Sequence, residues 1–421
     1  MSVERVPVAG LPEQRGVRVR VCGWVAGVHD DGRLLLLRDR TGVGRLVLAA
    51  PSAGMTEEAA VDATGTVVAS EDGGVAVAVD VVEVVGRVLA PLPVDASSPL
   101  HQRLDWRFLD LRRRPNLLTF EVQTTAERAM RRLWADDGFV ELHSPKLRSH
   151  PNASGRELFT VGYFGADAYL AQSPQFYKQM AMAAGFERVF EIGPVFRANP
   201  HVTDRHDTEF VSVDVELSWI ASAEDVMAFE ERWLHQVVAE VAAEHGDDIR
   251  RTFGVEVVVP EVPFPRIPLE AARTIVEKAG PAQPPGDLDP AGERVLGEHV
   301  VREHGHELVF VTEYPAATRP FYHMRTEDGS DLTRSFDLLW KGLEVTTGAQ
   351  REHRYDRLVG QARDRGVALE PIDYYLDCFR FGCPPHGGFG FGLTRMLMCL
   401  LGRHDVRDVT FLHRGRDRLR P

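Results

Sequence analysis

The sequence predicts an α+β protein in which a small N-terminal β-barrel is followed by a larger domain of mixed strands and helices. Three observations carry this expectation. Between residues 17 and 87, five short apolar or alternating runs are separated by turn residues. Residues 88–118 hold Pro91, Pro93, Pro99 and Pro115 with few periodic apolar positions, as a connecting segment does. From Phe120 the spacing turns helical, and strands and helices mix until the end. These shifts predict a first domain over 1–90, a linker over 91–118 and a second domain over 119–421.

In the first domain Val17, Val19 and Val21 alternate with arginines and Cys22. Leu34–Leu37, Leu46–Leu48, Thr66–Ala69 and Val75–Val85 follow, with Asp30-Asp31-Gly32, Thr41-Gly42 and Asp72-Gly73-Gly74 as turns. Five strands in some 70 residues fit a small closed barrel of the OB type, and a fragment of a β-sandwich fits the same pattern. In the second domain, apolar residues at 122, 126, 129, 130 and 133 predict a helix over Phe120–Asp136, with a short strand at Phe139–Leu142 after it.

Composition narrows the class. Of 421 residues, 44% are apolar and 26% charged, the proportions of a globular protein. No apolar run reaches the roughly 18 residues of a membrane helix, and the N-terminus lacks a secretory pattern. Cys22, Cys378, Cys383 and Cys399 fit no metal spacing and read as reduced thiols, so a cytoplasmic protein is expected. The net charge of −13 argues against nonspecific nucleic-acid binding. Arg103, Arg107, Arg112, Arg113 and Arg114, and the Arg414–Arg420 tail, leave room for a local basic surface; solvated arginines fit equally well.

Four segments carry candidate chemistry. Arg188–Arg197 and Phe210–Leu217 read as two strands around a polar loop. In the second strand, Val211, Val213, Val215 and Leu217 share one face, while Phe210, Ser212, Asp214 and Glu216 share the other. An apolar face backed by an aromatic and two acids suits the floor of a ligand site, with Arg197, Arg205 and His206 at its lip. Ser173-Pro174 predicts a helix start, with Ser173 as cap and Pro174 as first residue. Gln175 and Lys178 then share a face, on a ligand or simply on the surface. Asp337 and Glu344 flank a turn at Lys341-Gly342. Their seven-residue separation reverses strand parity, so a hairpin brings them only into diagonal reach. Two acids without a base partner suit Mg²⁺ that also uses substrate phosphates, although surface acids would look the same. Finally, Pro384–Gly392 reads as a glycine-rich loop leading into an apolar helix, Leu393–Leu401, with Arg395 in its first turn. It is neither a Walker A loop nor a dinucleotide fingerprint.

In this order the segments resemble the class II aminoacyl-tRNA synthetases, specifically the short archaeal-type aspartyl-tRNA synthetases. GFVELHSPKL (138–147) is similar to motif 1, FEIGPVFRANPHVTDRHDTEF (190–210) to motif 2 and GGFGFGLTR (387–395) to motif 3. SPQFYKQMAMAAGFERVFEIGP, FDLLWKGLEVTTGAQREHRYD and FRFGCPPHGGFG are close to the family pattern over long stretches. The resemblance implies ATP-dependent activation of L-aspartate and its transfer to tRNA(Asp) and/or tRNA(Asn), in a homodimer built on the Phe120–Asp136 helix and Pro145. A related reading is a paralogue that hands activated aspartate to a non-tRNA acceptor; a third is a catalytically silent tRNA-binding protein. Arg197 would neutralise the α-phosphate and the substrate carboxylate, and Phe210 would stack on adenine. Arg205, His206 and Arg395 would hold the outer phosphates, within an ATP site that also takes in Ala198, Asn199, Asp207, Glu344, Gly392, Leu393 and Thr394. Asp337, Glu344 and Thr347 would carry Mg²⁺. Ser173, Gln175, Phe176, Tyr177, Lys178, Arg197, Asp214, Thr347 and Arg351 would form the aspartate pocket, with Lys178 and Arg351 on the side-chain carboxylate. Such a site needs no protein base, because the nucleophile is an already ionised carboxylate; it needs positioning and charge neutralisation.

Departures from the family pattern are specific. Its Thr-Glu-Gly-Gly loop aligns with Asn152-Ala153-Ser154-Gly155, which puts Ala153 in place of the Glu. Asn199 and Thr394 stand where the family has acids. On the anticodon side Leu34–Leu37 replace an aromatic, Arg45 replaces a Gln, and Ala26 stands where Trp or His is usual.

Overall fold

The structure, a computed structural model, describes residues 3–51, 55–70, 73–149, 158–200, 203–280 and 282–421. The chain divides into two compact units, Met1–Leu117 and Leu118–Pro421.

The first unit contains a closed barrel of β1 (Arg18–His29), β2 (Leu34–Asp39), β3 (Gly42–Leu48), β4 (Ala60–Ala69) and β5 (Val75–Gly86), ordered β1-β2-β3-β5-β4. Closure removes the free edges that a sandwich fragment would leave. Val19, Val21, Val25, Leu35, Leu37, Leu46, Val61, Val67 and Val77 fill it. Strand β4 starts six residues before the predicted Thr66, since its inward positions include Ala63 and Gly65, too small to register as an apolar alternation. The expected linker is partly helical, with α1 (Leu100–Asp105) and α2 (Arg107–Asp110). Its arginines are not a free basic face. Arg107 and Arg103 pair with the buried Asp110 at 2.8 and 3.2 Å, and Arg112 pairs with Glu58 at 2.8 Å.

Helix α3 (Arg114–Asp136) runs across the boundary into the second unit and is six residues longer at its start than predicted. Pro115 lies in its first turn, where a missing N–H costs no helical bond, so the proline read as linker is helical instead. After α3 come β6 (Val140–Glu141) and a three-stranded sheet of β7 (Leu147–Arg148), β8 (Thr160–Tyr163) and β9 (Ala166–Leu170). Next are α4 (Gln175–Ala183), β10 (Arg188–Phe196), β11 (Glu209–Ser218), α5 (Ala223–Phe253) and β12 (Arg266–Pro268). The chain continues through α6 (Leu269–Ala279), α7 (Pro290–His304), β13 (Leu308–Thr312), β14 (Ser335–Trp340) and β15 (Leu343–Gln350). It closes with α8 (Tyr355–Asp364), α9 (Asp373–Arg380), β16 (His386–Gly392) and α10 (Leu393–Leu401). Eight strands form one sheet in the order β12-β13-β14-β15-β16-β11-β10-β6. It is antiparallel except at its two edges, where β12 runs parallel to β13 and β6 to β10.

One face of that sheet makes the main core. Val213 and Val215 of β11 and Phe389 and Phe391 of β16 pack there with Trp134 of α3, Trp233 of α5 and the apolar stripe of α10. The predicted glycine loop is therefore a central strand. His386–Gly392 alternates phenylalanine, buried in the core, with glycine on the opposite face, a period of two hidden by the glycine count. A Cβ on Gly388 would stand 2.0 Å from the carbonyl oxygen of Val215, and one on Gly348 2.2 Å from the ring of Phe336, so neither position admits a side chain. No helix among the described residues is long and apolar enough to cross a membrane.

Candidate active site

The face of the sheet turned away from the core floors a cavity of about 290 Å³. Because β11 alternates, Phe210, Ser212 and Asp214 line it while their neighbours are in the core. Gly390 and Gly392 of β16 leave the space that side chains would fill. The rest of the wall includes Ser173, Gln175, Arg197, Asn199, Arg205, His206, Asp207, Tyr322, His323, Glu344, Thr347, Arg351, Thr394 and Arg395. A second cavity of about 750 Å³ shares Ser173, Gln175, Arg197, Pro320 and Tyr322 with it.

At one end, the Arg197 guanidinium lies 5.3 Å from the centroid of the Phe210 ring, on which adenine stacking is expected. Arg205 directs both terminal nitrogens to one oxygen of Glu293 on α7, each at 2.9 Å. Burial pushes the Glu293 carboxyl up to about 7 against the pull of Arg205. His206 is held down to about 4 by burial and by Arg395, Arg205 and Arg197. Asp207 is tied to His413 and accepts from Thr410 at 3.3 Å, which anchors the end of the β10–β11 loop to the C-terminal segment.

The two expected metal carboxylates meet by a device the spacing does not reveal. Asp337 faces Thr347 and Leu338 faces Thr346, but Leu339 faces Glu344, leaving Val345 without a cross-strand partner. This β-bulge adds one residue to β15 and restores parity, so Asp337, Thr347 and Glu344 share the site face. The diagonal approach expected from a regular hairpin is thus replaced by a same-face one. Thr346, on the opposite face, donates to Glu230 of α5 at 2.5 Å. Arg319 donates to Asp337 Oδ2 at 2.6 Å, whereas Asp337 Oδ1 is buried without a partner. Arg395 donates to the Glu344 carbonyl at 2.7 Å and to its Oε1 at 3.3 Å. Burial and Asp337 raise the Glu344 carboxyl while Arg395 lowers it, with a net upward shift. An orphan carboxylate oxygen beside a second carboxylate is a fitting donor set for a hard cation completed by phosphate oxygens.

At the other end lies a buried charge network. Lys178 donates to Asp214 Oδ1 at 3.0 Å, to the Phe389 carbonyl at 2.9 Å and to the Val215 carbonyl at 3.3 Å, and has Glu216 Oε2 at 3.3 Å. Its three protons are thereby used within the protein, and it lies under the floor instead of lining the cavity. In this structure Gln175 is at the wall and Lys178 is one layer deeper. Arg351 donates through Nε to Glu216 Oε1 at 3.0 Å and through Nη2 to the Gly388 carbonyl at 2.8 Å. Its Nη1 meets His323 Nε2 at 2.9 Å. The predicted cap also differs. Pro174, at ψ 14°, is the cap residue of α4, and Ser173 Oγ accepts from the Gln175 N–H only at 3.4 Å.

Several expected site residues lie off the cavity. Phe176 stacks on Tyr375 at 4.1 Å and lines the second cavity, and Tyr177 lies with Phe176 beneath the Arg148 guanidinium. Leu393 belongs to the core, and Ala198 and Asp337 do not line the wall. Ala153 and its loop lie outside the described residues. Conversely, nothing in the spacing points to Glu293, Arg319 or His323. The only sequence signals are an acid in the first turn after the Asp289 cap of α7 and an unperiodic run, Arg319-Pro320-Phe321-Tyr322-His323. Among the described residues no three histidines, cysteines or acids cluster as a self-sufficient metal site.

Residues 99–415 match the family described as tRNA synthetases class II (D, K and N). The chain is 43% identical to the aspartate–tRNA(Asp/Asn) ligase of Methanopyrus kandleri, across 97% of each chain. It is 38% identical to the aspartate–tRNA(Asp) ligase of Pyrococcus abyssi, again across 97% of each. Among solved structures it resembles the asparaginyl-tRNA synthetase of Pyrococcus horikoshii complexed with asparaginyl-adenylate, at a TM-score of 0.92, 30% identity and full coverage of both chains. It also resembles a putative aspartyl-tRNA synthetase of Leishmania major, at a TM-score of 0.87 and 28% identity, over all of this chain and 96% of that one.

Proposed function

The chain belongs to the class II tRNA synthetases (D, K and N), and we propose that it activates L-aspartate with ATP and transfers it to tRNA(Asp) and/or tRNA(Asn). The observation that carries the choice of amino acid is the donor count on Arg351. Of its five N–H groups, two bond the Glu216 carboxylate, one a carbonyl and one a neutral imidazole, which leaves the second proton of Nη1 to offer. That remaining charged donor suits a substrate side-chain carboxylate. Asparagine would leave the cation underpaired, at a cost of about 1–3 kcal/mol. Lys178 supports this from beneath, by balancing Asp214 and Glu216.

In the activation step, a carboxylate oxygen of aspartate forms a bond to the α-phosphorus of ATP and the bond to pyrophosphate breaks. Arg197 is positioned to stabilise charge on the phosphorus and Arg395 on the leaving group, and no residue need accept a proton. Transfer follows when a ribose hydroxyl at the tRNA end attacks the acyl carbon and AMP leaves. Asp337, Glu344 and Thr347 would hold Mg²⁺, which supplies positive charge to the phosphates. The barrel, residues 1–90, would serve the anticodon, although Arg45 there is bound to Ser70 Oγ at 3.0 Å. Four free cysteines and these substrates suit the cytoplasm.

ATP–pyrophosphate exchange across the amino acids, followed by charging of purified tRNA(Asp) and tRNA(Asn), tests the reading. Aspartate supports exchange and asparagine does not; equal exchange with asparagine would overturn the assignment. Charging of neither tRNA would favour a non-tRNA acceptor, a reading that relatives of the same length, named as tRNA ligases, do not favour. A homodimer on α3 and Pro145 is the expected assembly, and a monomer at micromolar concentration in sedimentation would refute it.

A further inference from the structure

We propose that His323 is a positioning residue that aims the free donor of Arg351 and thereby sets the preference for a carboxylate side chain. The backbone brings the two together. Residues 322–324 run antiparallel to 350–352, with Glu352 N–H donating to Tyr322 O at 2.9 Å and Met324 N–H to Gln350 O at 3.0 Å, so His323 and Arg351 are direct cross-strand neighbours. Gln361 Nε2 holds the turn by donating to the carbonyls of Phe321 and His323 at 2.5 and 2.9 Å.

The chemistry of the contact has one solution. Arginine can only donate, so His323 Nε2 accepts at 2.9 Å and the ring proton is on Nδ1. Burial, with Arg351, Arg319 and Lys178 nearby, holds the imidazole well below its ordinary titration range, so it stays neutral. The two protons of Nη1 lie in the guanidinium plane at a fixed angle. Glu216 grips the Nε edge, Gly388 takes a proton of Nη2, and His323 takes one proton of Nη1. The last proton of Nη1 then has a single direction. A neutral partner also leaves the charge on this side of the guanidinium uncompensated, which a carboxylate partner would not.

His323→Leu removes the acceptor, and His323→Gln keeps one at comparable reach. This inference rests on the aspartate reading, so wild-type exchange with aspartate is established first; should another amino acid support exchange instead, the same variants are compared on that substrate. In pyrophosphate exchange, His323→Leu is expected to raise the aspartate KM on the order of tenfold, the effect of a lost charge-assisted hydrogen bond. The ATP KM stays within about twofold, and the preference over asparagine falls by a similar factor. His323→Gln is expected to recover most of the loss. If His323→Leu does not fold, His323→Met, apolar but flexible, replaces it in the same comparison. An unchanged aspartate KM in the apolar variant overturns the proposal. So does an equal loss in the apolar and glutamine variants that follows a fall in melting temperature, since that marks packing alone.

Discussion

Asp337→Asn and Glu344→Gln each lower ATP–pyrophosphate exchange at least a hundredfold at saturating aspartate, about 2.7 kcal/mol of transition-state stabilisation. The amide variants keep side-chain shape and remove only the charge and the anionic donor oxygen. Asp337 has one oxygen on Arg319, and its other oxygen is buried without a hydrogen bond. Glu344 is raised by burial and by Asp337, the signature of two carboxylates that share a site and need a cation between or beside them. The Glu344 substitution does not release Arg395, whose shorter bond, 2.7 Å, is to the backbone carbonyl. Loss of exchange therefore reports the metal-and-phosphate function and not a displaced arginine. Retention of more than a tenth of wild-type exchange in either variant, with an unchanged melting temperature, would remove the metal role.

How much of this site is legible in the sequence depends on whether the information is local. The two faces of β11 follow from a period of two, and α10 follows from the apolar run Met396–Leu401 ended by Gly402. Both are set by residues within a few positions of one another. The same rule applied to β16 is obscured because half of its residues are glycine, and composition then suggests a loop. The bulge at Val345 cannot be read at all. Only the pairing with β14 tells a regular strand from one with an extra residue, and that single residue decides whether Glu344 faces Asp337 or the core. Lys178 shows the same limit in depth. Helical spacing gives its direction but not that four acceptors from β11 and β16 enclose it. Glu293, Arg319 and His323 reach the site from α7 and an irregular segment, whose approach is set by tertiary packing.

Lys178→Met produces a protein that is less stable and far less able to use aspartate, and the stability loss grows with pH. The ammonium group is 4% exposed, with Asp214 and Glu216, themselves 4% and 0% exposed, at 3.0 and 3.3 Å. Burial pushes the Glu216 carboxyl up, and Arg351 and Lys178 outweigh that push and hold it below its ordinary range. Deleting one cation leaves two buried carboxylates sharing the other, a change that costs about 3–5 kcal/mol when the remaining charge cannot reach water. The sign with pH follows from linkage. In the wild type, Glu216 contributes stability above its unfolded value near 4.5 and loses it on acidification. In the variant, its folded pKa rises above that value, so the unfolded chain releases a proton that the folded chain retains, and stability falls as pH increases. The gap in melting temperature between wild type and variant is accordingly larger at pH 8 than at pH 5. The aspartate KM rises at least tenfold, because Arg351 must then compensate Asp214 as well as Glu216 and has less charge left for the substrate, while the ATP KM stays near the wild-type value. A gap independent of pH would mean that the carboxylates are not what Lys178 balances, and an unchanged aspartate KM would separate the buried network from substrate choice.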